Sequence, residues 1–427
     1  MFFLYFLIFS MPFFRHPIIN AGSGILTAPK LAGGLGLFFA LVHMGQHGFP
    51  NFFATRPAKL FLAIFMWALL SFARQGHPPR VDVGDPSLLY ISLFVFFILL
   101  VSLVDTPPKI EMCFLFAIAS VAFASFYILR EYQVYHFSFA NFRPEAKILG
   151  DANYFSMAAM LAFPIGYYWY LAEKRPAYRT LLLVMLLPTA AGIAVSGSRG
   201  GLLALMAFMG FAAWRSRKMG QLVLMVVLIV PPMLMIPRNP ITRMLHPDTA
   251  DKQSSLVRIE TLKAGIRMTA GHPLAGIGVG QFKPKLADYT GKPALAKMAH
   301  NTYLEIAAEL GIPCLLVYCW LLWETYRSFE RVRRAAYRWD DKLLFAFATS
   351  LQGGLIGYLV SSFFLSAEYV KFFWFYVFMS IAMERVIHIW ASVRREADTA
   401  PSDPLPLPEP VLVLNSGPPP LLDSARI

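Results

Sequence analysis

Apolar stretches of helical length recur along most of the chain, separated by short polar breaks rich in Pro, Gly, Arg and Lys. At 1.5 Å per residue, a stretch approaching 20 apolar residues reaches across a hydrocarbon core of roughly 30 Å. Lipid offers no partner to an open strand edge, so each stretch is read as a helix. The pattern predicts about twelve of them, at 2–14, 31–46, 58–73, 87–104, 110–129, 154–172, 179–196, 200–214, 220–237, 303–324, 343–366 and 370–391. One interval breaks the rhythm. Residues 238–299 are polar, with ten Lys/Arg against four Asp/Glu, and lead into His300-Asn301-Thr302-Tyr303-Leu304-Glu305. The expected organisation is transmembrane helices one to nine over 1–237, a large extracytoplasmic loop over 238–300, three more helices over 301–395, and a Pro-rich disordered tail over 396–427.

Composition agrees with this reading. The 427 residues are 57% hydrophobic and only 15% charged, more apolar surface than a soluble core can hide, so the fold class is an all-α polytopic membrane protein. A net charge of +13 points to nucleic acid in a soluble chain. Here most basic residues sit in short loops beside apolar helices, which assigns them to topology and anionic headgroups, with membrane lipids and no nucleic acid as partners.

Lys174, Arg175 and Arg179 form one basic loop, Arg215, Arg217 and Lys218 the next but one, Arg327 to Lys342 a third, and Arg394 with Arg395 a fourth. Their parity puts all four in the cytoplasm with both termini, and leaves the turn Ser196-Gly197-Ser198-Arg199-Gly200-Gly201, segment 238–299 and the turn near Glu368 on the outer face. Met1 to Phe14 lacks a basic start and a small-residue cleavage site, which predicts a retained first helix. Cys113, Cys314 and Cys319 lie in apolar surroundings and are expected to be buried, with no disulfide framework. No repeat of helical pairs is evident.

The chemistry concentrates on the outer face. Arg199 is flanked by glycines that let backbone approach a ligand, and a guanidinium at membrane depth needs a partner or a watery cavity. Phosphate, held in a bidentate fork, is such a partner. Residues 254–268 predict an amphipathic helix with Leu256, Ile259, Leu262 and Ile266 on one stripe. Arg258 and Arg267 fall on opposite sides of it, so one of them can face a given pocket. Gly271 to Gly280 reads as a chain reversal rather than a dinucleotide loop, since no strand precedes it. Thr302-x-x-Glu305 reads as a capping box starting a helix just after His300, whose positive end would keep the imidazole neutral, as a general base requires. Asn153, Arg267, Lys297, Asn301 and Tyr303 are candidate substrate contacts, with Tyr154 and Glu368 as further cavity residues. The outer face has no Asp-x-Asp pair, so neither a metal nor another cofactor is expected.

His300-Asn301, nine residues, then Gly311-Ile312-Pro313-Cys314 resembles the signature of bacterial O-antigen ligases, departing at Cys314, where that family has Gly, Thr or Tyr. Ser196-Gly197-Ser198-Arg199-Gly200 is similar to a turn of the same ligase and polymerase superfamily, and Arg258 followed by His272-Pro273-Leu274-x-Gly276-x-Gly278 is similar to its outer-loop block. The resemblance spans roughly 180–390. It implies a GT-C-like membrane fold in the bacterial inner membrane with a periplasmic active face. The implied activity is metal-independent, inverting transfer of a glycan from undecaprenyl diphosphate to a lipid A-core acceptor in lipopolysaccharide biosynthesis. It further implies that Arg199 and Arg258 hold the diphosphate and that His300 is the base. A repeat-unit polymerase or a protein O-oligosaccharyltransferase shares the donor. A lipid-linked glycan flippase also needs a cationic cavity, but should line both halves of its path.

Overall fold

The computed structural model describes residues 1–13, 16, 19, 27–75, 86–135, 144–216, 219–237, 239–291 and 297–399. The Pro-rich tail and the basic residues Arg217, Lys218 and Arg238 lie outside the described residues. All regular structure among the described residues is helical: α1 Phe2–Ser10, α2 Ala28–His47, α3 Arg56–Gln75, α4 Pro86–Leu103, α5 Pro107–Tyr135, α6 Ala152–Ala172, α7 Pro176–Val195 and α8 Arg199–Ser216. There follow α9 Met219–Leu234, α10 Pro240–Leu245, α11 Thr249–Gly271, α12 Phe282–Thr290, α13 Thr302–Leu310, α14 Ile312–Arg338, α15 Lys342–Ser361 and α16 Lys371–Thr399.

Six of the described helices are long and apolar enough to cross a membrane: Ala28–Gln46, Arg56–Gln75, Pro107–Tyr135, Pro176–Val195, Lys342–Ser361 and Lys371–Ser392. Phe2–Phe13, Leu88–Leu103 and Gly220–Pro231 are shorter apolar helices. The chain is a polytopic membrane protein. Contacts divide it into a body over Met1–Ile387 and a small unit, His388–Ile427, whose described part is the last turns of α16.

Within the body, α15 runs against α6, α8 and α14. α6 is buried almost all round, as expected of a helix that is apolar on every face. Its Pro164 cannot donate to the Met160 carbonyl, and the buried Tyr376 hydroxyl donates there instead at 2.6 Å. Gly354 makes room, because a Cβ there would sit 2.3 Å from the Tyr376 oxygen.

The polar interval folds into three helices, α10 to α12, of which α11 contains the helix expected over 254–268. It has its own small core, in which Ala264 and Met268 of α11 meet Ile277, Phe282, Leu286, Ala299 and Ala308. The apolar stripe of α11 faces outward: Leu256, Ile259, Leu262 and Ile266 are all exposed. Small residues decide this. A Cβ on Gly265 would come within 2.6 Å of Leu304, so only the slim face of α11 can lie against α13.

The predicted span 303–324 is also broken. α13 ends at Gly311, whose φ of +89° belongs to glycine, and α14 starts anew at Ile312. The reversal 271–281 sits in the break, with Ile312 N donating to Pro273 O at 2.7 Å and Ile277 N to Ala308 O at 2.8 Å. A Cβ on Gly311 would meet Leu274 O at 2.4 Å. The Glu309 carboxylate closes the reversal by accepting from Gly280 N and Phe282 N. Cys113 and Cys314 are buried, but Cys319 is exposed, correcting the expectation that all three are internal. It lies on an outward row of α14 with Leu316 and Trp320.

Candidate functional site

Three helix starts meet at one end of the body. α6 begins at Asp151, whose Oδ1 accepts from Asn153 N at 2.6 Å and Tyr154 N at 3.1 Å. α8 begins at Arg199 after a turn made of serines: the Ser196 and Ser156 hydroxyls are 2.7 Å apart, Ser198 N donates to Ser196 Oγ, and Gly201 N to Ser198 Oγ. Gly197 turns the chain at φ +59°, and a Cβ on Gly201 would lie 2.6 Å from that of Ser156. α13 begins at Thr302. Its N-cap is Asn301, which accepts from Leu304 N at 3.0 Å, so the capping box expected from Thr302 and Glu305 does not form. Thr302 and Glu305 bind the α15–α16 turn instead, the hydroxyl of Thr302 donating to Leu365 O at 2.7 Å.

Into this junction α11 brings Arg258. Its guanidinium is disfavoured first by burial, then by the charges of Arg199 and Arg243, and favoured by Asp151. Its Nε is buried without a hydrogen-bond partner. Arginine does not shed its proton at any ordinary pH, so this environment stores an unmet demand for negative charge. Arg243 is differently employed: it is ion-paired with the buried Asp251 and donates to Gly197 O, fastening α10 and α11 to the α8 turn.

His300 stands beside Arg258 with its Nδ1 buried and unpartnered. Its φ of +51° is left-handed, a conformation costing a non-glycine residue roughly 1–2 kcal/mol. Burial lowers its pKa below the ordinary histidine value, Arg258 and then Lys297 lower it further, and Asp151 opposes them. The imidazole is therefore held neutral by burial and neighbouring cations.

The other predicted contacts divide. Lys297 is exposed but close enough to act on His300, and Asn153 is half-buried in the first turn of α6. Asn301 is engaged as a cap, and Tyr303 donates to Leu359 O at 3.0 Å with its ring 4.6 Å from that of Phe363. Arg267 is exposed and donates to Tyr289 O at 3.1 Å, on the outer side of α12. Glu368 is buried against Glu305, and burial pushes its carboxyl up to about 8. Three residues of the junction escaped the sequence reading: Asp151, Arg243 and Ser366. Asp151 before an apolar run is a cap signature; nothing local marks Arg243 or Ser366 as neighbours of Arg199 and His300.

A cluster of cations, a neutral buried histidine and converging helix starts can hold a polyanionic group and take up a proton beside it. Comparison with protein families agrees: residues 181–319 match the family described as O-Antigen ligase, and so carry that domain. The match includes Arg199, Arg258, His300 and Gly311. Members of the O-antigen ligase and polymerase family transfer glycans, and the family implies lipid-linked glycan substrates generally. No curated protein matched the chain.

Proposed function

We propose that this protein is an O-antigen ligase: a metal-independent, inverting glycosyltransferase that moves a glycan from undecaprenyl diphosphate to a lipid A-core acceptor at the periplasmic face of the inner membrane. The observation that carries the reading is the half-buried Arg258, its Nε buried without a partner and its charge close enough to act with those of Arg199 and Lys297 around His300, a cationic site that a diphosphate suits.

His300 takes the proton of the acceptor sugar hydroxyl through a neutral imidazole nitrogen. The freed oxygen attacks the anomeric carbon on the face opposite the diphosphate, forming the new glycosidic bond. The bond from that carbon to the diphosphate oxygen breaks, and its electron pair leaves with undecaprenyl diphosphate. Arg199 and Arg258, half-buried and fixed in place, stabilise the developing charge, since prepositioned charges in a partly desolvated site act more strongly than in solution. Asp151 balances part of the cationic charge, and Arg243 holds α11 and the α8 turn in register. The departure at Cys314 is a buried side chain in the first turn of α14 and leaves these roles untouched.

The test is reconstitution with lipid-linked glycan and lipid A-core. Ligation by the wild type and its loss in His300→Ala, with donor binding retained, are expected. Glycan chains lengthening without acceptor identify a polymerase, transfer to a polypeptide identifies a protein O-oligosaccharyltransferase, and donor crossing the bilayer with no new bond identifies a flippase.

A further inference from the structure

His300 carries its imidazole on a left-handed backbone, and something outside the residue has to hold it there. The structure shows one chain of contacts that does so. His300 N donates to Ser366 Oγ at 3.0 Å, and Ser366 Oγ in turn donates to Glu305 Oε2. Ser366 is itself held on both sides. Tyr154 donates to its carbonyl at 2.9 Å, Thr302 Oγ1 takes the next amide, Ala367 N, at 3.0 Å, and Thr302 donates to the preceding carbonyl, Leu365 O. Glu305, Thr302 and Ser366 are all buried. A buried carboxyl is costly unless it serves a contact, and Glu305 serves two, the hydroxyl of Ser366 and the neighbouring carboxyl of Glu368.

We propose that Ser366 and Glu305 form a two-link brace that fixes the backbone of His300, making both positioning residues for the base. The proposal rests on the function above only for its kinetic arm. The brace acts through the His300 amide rather than through the charge on the ring, which is governed by burial and then by Arg258, Asp151 and Lys297. It also couples the base to the α15–α16 turn, which no motif around His300 contains. Because Arg199 and Arg258 lie outside the brace, its loss should slow turnover without weakening donor binding.

Two measurements on the full-length protein test it. Hydrogen exchange of the His300 amide, read by mass spectrometry, needs no substrate: it should speed by about tenfold or more in Ser366→Ala and Glu305→Leu, and stay near wild type in Glu305→Gln, whose amide oxygen still accepts from Ser366. Unchanged exchange in Ser366→Ala overturns the brace. In the transfer assay, Ser366→Ala and Glu305→Leu should each lower kcat ~10- to 100-fold at unchanged donor KM. The double variant should be no worse than either single one, as for residues acting as a unit. A raised KM with unchanged kcat, multiplying losses in the double variant, or failure of Glu305→Gln to restore kcat overturns the positioning role. If wild type shows no transfer, the functional reading fails while exchange still decides the brace. Should Ser366→Ala not fold, the Glu305→Leu and Glu305→Gln pair decides alone.

Discussion

The two ends of α8 carry arginines in opposite circumstances. At its C-terminal end Arg215 donates to Glu330 at 3.0 Å, and Glu330 also accepts from Arg333, Arg334 and Gln352. Nearby on α14, Arg331 joins Glu384 at 2.7 Å and Glu324 at 3.6 Å, and Arg56 reaches Glu324 at 3.3 Å. At the N-terminal end the charge of Arg199 acts on Arg258, which Asp151 favours and Arg243 disfavours, Arg243 being itself paired with Asp251. Cations that carry their own carboxylates hold helices together; cations gathered against one another await an external anion. Charge count cannot separate the two ends, whereas partner count can.

Substitutions at the two ends should therefore fail differently. The largest effect is expected for Arg258→Ala, with glycan transfer down by ~10²–10³-fold, the loss typical of one transition-state donor, and little change in the unfolding midpoint in detergent. A large fall in that midpoint would put Arg258 in the same class as Arg331. Arg331→Ala should behave inversely, leaving Glu384 buried without its counter-charge while Glu324 keeps Arg56 and Arg327. Because Arg331 is 38% exposed, a destabilisation near the low end of the ~3–5 kcal/mol for broken buried pairs is expected, read from the melting curve, with specific activity of the folded fraction preserved.

Gly311→Ala should cost ~1–3 kcal/mol through its left-handed φ and the clash with Leu274 O. Transfer should fall with it as the reversal leaves the α13–α14 break; a stable, active variant would show that the break is not needed. The smallest expected effect is on pH dependence. With its pKa lowered, His300 stays neutral to below the ordinary value near ~6.5, so transfer should persist into mild acid and fail only as the ring protonates. Arg258→Ala removes the second cause of that lowering, so the acid limb of its residual activity should move upward. A limb that stays put would show that burial alone sets it.

Much of the fold was legible. The helix positions follow from hydropathy, which lipid enforces by leaving no backbone group unpaired. The reading fell short where packing overrides pattern. Periodicity put Leu256, Ile259, Leu262 and Ile266 on one stripe without saying what it faces; Gly265 and Ala264 make the opposite face the one that fits against α13, and the stripe is left exposed. The span from 303 continued through Gly311 on hydropathy alone, and broke because the reversal inserts its backbone there. Asn301, not Thr302, caps α13 because Thr302 is drawn to the α15–α16 turn.

By itself the sequence determined a many-helix membrane protein and the polar interval, because composition and periodicity are local properties that the solvent reads directly, and it offered Arg199, His300 and one of Arg258 and Arg267 as candidates. Only the tertiary structure decided which cations go without carboxylates, that Arg258 rather than Arg267 stands with Arg199, and that Ser366, 66 residues away, holds the His300 amide. Those are facts of proximity between segments distant in the chain, and the energy of a charge or a hydrogen bond depends on what lies within a few ångströms of it.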